Sequence, residues 1–283
     1  MITKRGYRSG SFCNTVRYTV YVKYTGKKIV HEILAAGSPR DAAFAQRFFK
    51  TGKGQYGEGD IFVGVSVPKI RTIGKKLYME LKDSRVPQVL KEIDILLKHK
   101  VHECRLAAVH ILVDVVKRIH KDIEKNRGDV LKHVDTLLQY AMYYLENTAY
   151  INNWDIVDSS ARDVVGGALY YGEQYKKVAA LPMLQKLSQS KILWERRIAA
   201  IAPWFYTQKN EYVFHLKVLE MVDMDSEDLM HKAVGWMLRE IGKRDIDILR
   251  TYLQRRATKI PRTQLRYAIE KMSITERKKY MGM

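Results

Sequence analysis

Three separated stretches of this chain share one frame. They are Cys104-Arg105-Leu106-Ala107-Ala108-Val109, Arg196-Arg197-Ile198-Ala199-Ala200-Ile201 and His231-Lys232-Ala233-Val234-Gly235-Trp236. Each sets a basic residue ahead of small and apolar residues near the start of a long helical pattern. Arg105 and Arg197 lie 92 residues apart, which fits two units of about 46, and Arg197 and Lys232 lie 35 apart, a shorter unit. Small residues at recurring positions let neighbouring helices approach closely, so a chain with this period stacks helix pairs side by side.

The pattern predicts an all-α fold, a HEAT-like α-solenoid in which antiparallel helix pairs build a curved superhelix. Its concave side is where the repeated basic residues are expected to gather. The domain reading is a basic extension over residues 1–28 and one helical domain over residues 29–283. Within the domain, Ser38-Pro39-Arg40-Asp41 is a cap with Pro at the first helical position, and Val67-Pro68-Lys69 opens another helix. Between them, Thr51 to Asp60 carries four glycines. No GxxxxGK[ST] is present and no strand precedes it, so this is a connection and not a phosphate cradle. The extension reads differently: Val16 to Tyr24 alternates β-branched and aromatic residues in a strand pattern closed by Thr25-Gly26-Lys27-Lys28. It is either a basic arm that touches a nucleic-acid backbone or a poorly ordered extension.

Charge narrows the partner. The 283 residues hold 50 Lys and Arg against 31 Asp and Glu, a net charge of +19. Residues 1–30 contain seven basic residues and no acid, and residues 243–279 contain twelve basic residues against four acids. A polyanion is the expected partner, nucleic acid being the commonest. No run of about 18 apolar residues exists, so no membrane span is expected. Two cysteines, Cys13 and Cys104, cannot make a disulfide framework and suit a reducing, cytoplasmic setting.

Chemistry has few places to reside. In Asn153-Trp154-Asp155-Ile156-Val157-Asp158, Trp154 and Asp158 stand four apart and share a helix face. A carboxylate beside an indole can hold a cation, although a capped helix with a core Trp has the same spacing. Trp204, following Pro203, reads as core. Arg197 and Arg239 can each reach a phosphate with two nitrogens or pair with neighbouring acids. His99, His102, Cys104 and His110 cluster in sequence, but their spacing scatters them round a helix and no CxxC accompanies them, so no metal is expected. Arg255, Arg256, Lys259 and Arg262 either bind phosphate or solvate the last helices.

Together, Asn153 to Asp158, Trp194-Glu195-Arg196-Arg197 and Lys232 to Glu240 resemble the AlkD family of DNA alkylation-repair glycosylases. Arg47-Phe48-Phe49-Lys50, followed by Gly64 to Lys75, resembles the first helices of that family. The resemblance covers about residues 29–280. It implies a HEAT-like solenoid that binds duplex DNA on a basic concave face and hydrolyses the N-glycosidic bond of cationic alkylpurines, notably 3-methyladenine and 7-methylguanine. No cofactor or metal is implied, and the protein is expected to act as a monomer. By likeness, Trp154, Asp158 and Trp236 match the catalytic cleft, and Arg197 and Arg239 match cleft-side basic residues, Arg197 at the DNA backbone. Arg71 and Lys75 match phosphate contacts. Phe48 matches a further DNA-binding position, where the family often has Tyr, keeping the ring and losing the hydroxyl.

That role is physically coherent. An N3- or N7-alkylated purine is already cationic and leaves without protonation. What needs stabilising is the oxocarbenium-like sugar, a task for an ionised carboxylate and aromatic faces. The alternative is a non-catalytic HEAT-like module that binds unusual DNA structures.

Overall fold

Thr25 accepts a hydrogen bond from the Lys28 backbone and caps the first helix, α1 (Gly26–Ala35). Helix therefore begins three residues before the expected boundary. Gly26 to Lys28 open it, because the Thr25 side chain satisfies an end N–H and Ile29 and Ile33 are buried in the helical core. The structure, a computed structural model, describes residues 24–282; the rest of the strand pattern expected over Val16 to Tyr24 lies outside the described residues.

Helices follow throughout. Ser38 caps α2 (Pro39–Phe48), and Pro68 sits in the first turn of α3 (Val67–Leu81), as their sequences foretell. Then come α4 (Val86–Leu97), α5 (His102–Glu124) and α6 (Val130–Glu146). A short 3₁₀ turn leads to α7 (Trp154–Ala161), a π-helical turn (Arg162–Gly166) and α8 (Gly167–Gln174). The remainder is α9 (Ala180–Ser188), α10 (Leu193–Ile201), α11 (Trp204–Gln208), α12 (Tyr212–Leu219) and α13 (Asp228–Gly242). The chain closes with α14 (Ile246–Arg256), α15 (Arg262–Ala268) and α16 (Ile274–Met281). Among the described residues there is no strand, only a single bridge between Ile61 and Val101.

The fold is the expected all-α, HEAT-like one. One row of helices runs α3, α5, α7, α10, α13, α15, each packed on the next, while α4, α6, α9 and α12 back them. Between the rows runs one continuous apolar core that includes Leu77, Leu96, Val116, Ile156, Ile198, Val234 and Leu253, all inaccessible to solvent.

The repeat is real, but its register differs by one residue at α5. The fourth residues of α5, α10 and α13 are Arg105, Arg196 and His231. Each reaches back to the preceding loop. Arg105 Nη1 donates to the carbonyls of His99 and Lys100, Arg196 Nη1 to those of Ser190 and Lys191, and His231 Nε2 meets the Asp225 carbonyl. These side chains satisfy backbone oxygens that the turn leaves unpaired. Arg105 therefore corresponds to Arg196, not Arg197.

The expected gathering of repeated basic residues on one open face does not occur. Arg105 is buried against Asp60, Arg197 is buried against Asp158, and Lys232 pairs with Asp228 at 2.6 Å. Charge buried among helices is tolerated only with a partner, and Arg105 and Arg197 each have one, while Lys232 pairs at the surface.

A candidate active-site cleft in the inner row

Five elements converge on a cleft of about 370 Å³, four of them from the row α3, α5, α7, α10, α13, α15, here the inner row, and the fifth being α11. α3 brings Arg71, Gly74 and Lys75, α5 brings His110, Asp114 and Lys117, and α7 with its π turn brings Asp158, Ser159, Arg162 and Asp163. Trp204 of α11 and Trp236 of α13 complete the wall. Four residues singled out from sequence, Asp158, Trp236, Arg71 and Lys75, thus meet in one cavity.

Asp158 sits at its centre of charge. Arg197 Nε donates to Oδ1 at 2.7 Å and Nη2 to Oδ2 at 2.9 Å, a bidentate grip across the α7–α10 contact. Nη1 of the same arginine donates to the Leu229 carbonyl, and Arg197 is only 4% exposed. Burial pushes the Asp158 carboxyl above its ordinary value, against the pull of Arg197 and with the help of Asp155.

A buried polar network fixes the start of α7 one turn before Asp158. Asn153 caps the helix, accepting from the Trp154 backbone at 2.8 Å, and its amide donates to Asp60 Oδ2 at 2.9 Å. His102 bridges Asp60 at 3.0 Å and Asp155 at 2.8 Å. Burial alone would lower the His102 pKa, yet its two carboxylate partners outweigh that and raise it to about 9, so the ring is an imidazolium. Burial likewise works against the ionised Asp60, and His102, Arg105 and Asn153 more than compensate, holding its carboxyl below the usual value. Beside it, the Glu103 carboxylate accepts from the backbone N–H groups of Val63, Gly64 and Val65 at 2.7–3.3 Å, docking the loop onto α5.

The aromatic wall contains a residue that the sequence pointed elsewhere. Trp204 was expected in the core; it lies in the cleft, edge-on to Trp236 at 5.2 Å and under the Arg162 guanidinium at 4.7 Å. Pro203 before it reads as a helix start in either setting, so local pattern carried no signal. Arg162 is held by Asp163 at 2.7 Å, and Lys117 approaches the same carboxylate at 3.5 Å. Arg71 and Lys75 are exposed at adjacent turns of α3 and form no ion pair among the described residues.

The remaining sequence candidates sit elsewhere. Trp154 packs among phenylalanines, stacked on Phe49 at 5.1 Å and edge-on to Phe48 at 5.9 Å, and is not a cleft wall. Arg239 turns to Glu270 and lines a separate groove with Gly242, Lys243 and Leu249. Of the basic residues near the end, Arg256 binds the buried Asp223, and Arg262 donates to the Met281 carbonyl. His102 is spent in its network, and burial pushes the Cys104 thiol up to about 12 and the His110 imidazole down to about 4. No group of three or more His, Cys, Asp or Glu residues that could hold a metal ion occurs among the described residues. Nor, among them, is any helix long and apolar enough to cross a membrane.

The fold is shared with known proteins. A predicted DNA alkylation repair enzyme from Enterococcus faecalis has a similar fold, with a TM-score of 0.63 at 17% sequence identity, covering 84% of this chain and 97% of that one. AlkD2 from Streptococcus mutans is a more distant likeness, with a TM-score of 0.46 at 16% identity, covering 82% of this chain and 95% of that one. No curated protein sequence matches. The sequence pattern of the family described as DNA alkylation repair enzyme matches residues 29–272, and the chain belongs to that family.

Proposed function

We propose that the protein is a DNA glycosylase that hydrolyses the N-glycosidic bond of cationic N3- and N7-alkylated purines in duplex DNA. The observation that carries this reading is the placement of Asp158: a carboxylate oriented through both oxygens by Arg197, on the wall of an open cleft faced by two tryptophans.

The chemistry asks for little more. As the bond breaks, its electron pair goes to the already cationic base, which leaves neutral, and positive charge moves to the deoxyribose. Asp158 offers that charge a fixed anion, and each oxygen keeps a lone pair beyond the one given to Arg197, enough to accept a hydrogen bond from the attacking water. Trp236, braced by Trp204, offers a π face worth roughly 0.5–2 kcal/mol to a cation. Trp154 acts at one remove, setting the ring of Phe48 beside the start of α7. Arg71, Lys75 and Lys117 give the rim positive charge for backbone phosphates. Arg197, enclosed as it is, serves as a positioning residue for Asp158, and Arg239 acts away from the cleft.

The test is release of 3-methyladenine or 7-methylguanine from methylated duplex DNA, comparing wild type with Asp158→Asn. Release by wild type and its sharp loss in the variant, at DNA affinity within a few-fold, is the expected result. Tight, salt-dependent DNA binding without base release by wild type would replace this reading with a non-catalytic DNA-binding module.

A further inference from the structure

α2 breaks the rule that an amphipathic helix covers its apolar stripe. It has ten residues and none of them is buried. Phe44 and Phe48, one turn apart, are 62% and 54% exposed, and their rings lie nearly parallel with centroids 6.1 Å apart. Beside Phe44 a groove of about 320 Å³ is lined by Phe49, Phe62, Val67 and Ile70; of the acids at its wall, Glu103 and Asp155 are engaged by the 63–65 backbone and by His102, which leaves Asp41. Exposed aromatic rings side by side cost solvation and contribute nothing to this core, so their placement calls for an occupant.

Charge indicates which one. Arg40 and Arg47 flank the two rings on α2, and Lys53 follows in the Gly-rich loop. All three are exposed and, among the described residues, form no hydrogen bond or ion pair. One acid, Asp41, accompanies them on the helix. Aromatic faces flanked by unengaged cations are what an unstacked nucleotide needs: a ring for the base and guanidinium or ammonium groups for its phosphates. The platform is linked to the candidate site through one residue, since Phe48 meets Trp154 edge-on and Trp154 begins the helix that bears Asp158.

We propose that Phe44 and Phe48 form a stacking platform for a nucleobase displaced from the duplex, with Arg40, Arg47 and Lys53 holding the phosphates beside it. The proposal rests on the DNA-binding part of the reading above and adds the form of DNA that the protein prefers.

The experiment compares two oligonucleotide duplexes, one carrying a single unpaired 2-aminopurine and one fully paired, titrated with the full chain. Wild type binds the bulged duplex more tightly, and 2-aminopurine emission falls as the base stacks. Phe44→Ala weakens binding to the bulged duplex at least about five-fold, the low end of one base–ring stack, and leaves the paired duplex within two-fold. It also abolishes the change in emission, whereas Phe44→Trp restores both and Phe44→Leu, apolar without a π face, does not. Equal affinity of wild type for the two duplexes, or full rescue by Phe44→Leu, would overturn the platform alone. Self-association that disappears in Phe44→Ala would assign the face to a second copy of the chain and overturn it as well. Failure of wild type to bind either duplex would remove both this proposal and the DNA-binding reading beneath it.

Discussion

Arg197 holds both carboxylate oxygens of Asp158, at 2.7 and 2.9 Å, from the neighbouring helix of the inner row. The pair does two things at once. It orients the carboxylate toward the cleft, and it offsets part of the cost that burial places on the ionised form.

Removing the arginine leaves that charge without a partner. Arg197→Ala is expected to lower stability by about 3 kcal/mol, the usual penalty for breaking an enclosed ion pair from one side. DNA affinity should change little, because the side chain is not presented to a ligand. Urea denaturation beside a DNA-binding titration separates the two effects; unchanged stability with broadly weakened binding would return Arg197 to the phosphate contacts.

The ionisation of Asp158 sets a pH limit on the proposed reaction. Only the carboxylate stabilises the sugar cation, so the rate of base release should fall as pH drops through the Asp158 pKa. Burial places that pKa above the ordinary 3.8, so the decline begins at higher pH than an exposed aspartate would give. A single-turnover pH profile measures it, after subtraction of spontaneous depurination, and a rate flat down to pH 4 would contradict the assignment.

His102 makes a pH-dependent contribution of the opposite sense. Its pKa rises from 6.5 to about 9 on folding, so the folded state binds the proton more tightly than the unfolded one. The resulting stabilisation, on the order of 3 kcal/mol, is complete below pH 6.5 and is lost as pH climbs toward about 9. Denaturation midpoints across that range should decline in wild type and flatten in His102→Gln.

Trp204 should matter more to catalysis than to stability. Trp204→Leu removes the edge that braces Trp236 and the face under Arg162, and is expected to slow base release about two- to thirty-fold, the span of one or two cation–π contacts. A rate equal to wild type would show that Trp236 needs no brace.

The π turn has a steric requirement that circular dichroism and denaturation can check. A Cβ added at Gly166 would lie 2.0 Å from the Ala202 carbonyl oxygen, so Gly166→Ala should cost about 1–3 kcal/mol while the variant remains helical.

Much of this was legible in the sequence, for identifiable reasons. Ser38-Pro39 and Val67-Pro68 announce helix starts through local chemistry that tertiary packing leaves intact. Of Trp154, Asp158 and Trp236, which the resemblance groups in a cleft, Asp158 and Trp236 share a cavity with Arg71 and Lys75, which it gives as phosphate contacts, while Trp154 does not line it. Basic residues at helix starts were harder to read. Arg105 and Arg196 satisfy loop carbonyls, and Arg197 grips a carboxylate on another helix; a one-dimensional pattern does not distinguish these from a residue facing solvent. The repeat register slipped because α10 carries two arginines in tandem, Arg196 and Arg197, and only the reach back to the loop, which exists in three dimensions, picks the first as the counterpart of Arg105. The surroundings of Arg239 were hidden for a related reason: its partner Glu270 lies in the turn just after α15, far along the chain.

The cleft draws its walls from α3, α5, α7, α11 and α13, and the Asp158–Arg197 pair bridges two units of the stack. Repeat proteins are ordinarily modular, and units can be added at the ends without disturbing the middle. Here that freedom stops at the centre. Deleting or exchanging one internal unit would part the carboxylate from its arginine and both from the tryptophans, so the solenoid can grow outward but cannot be shuffled within.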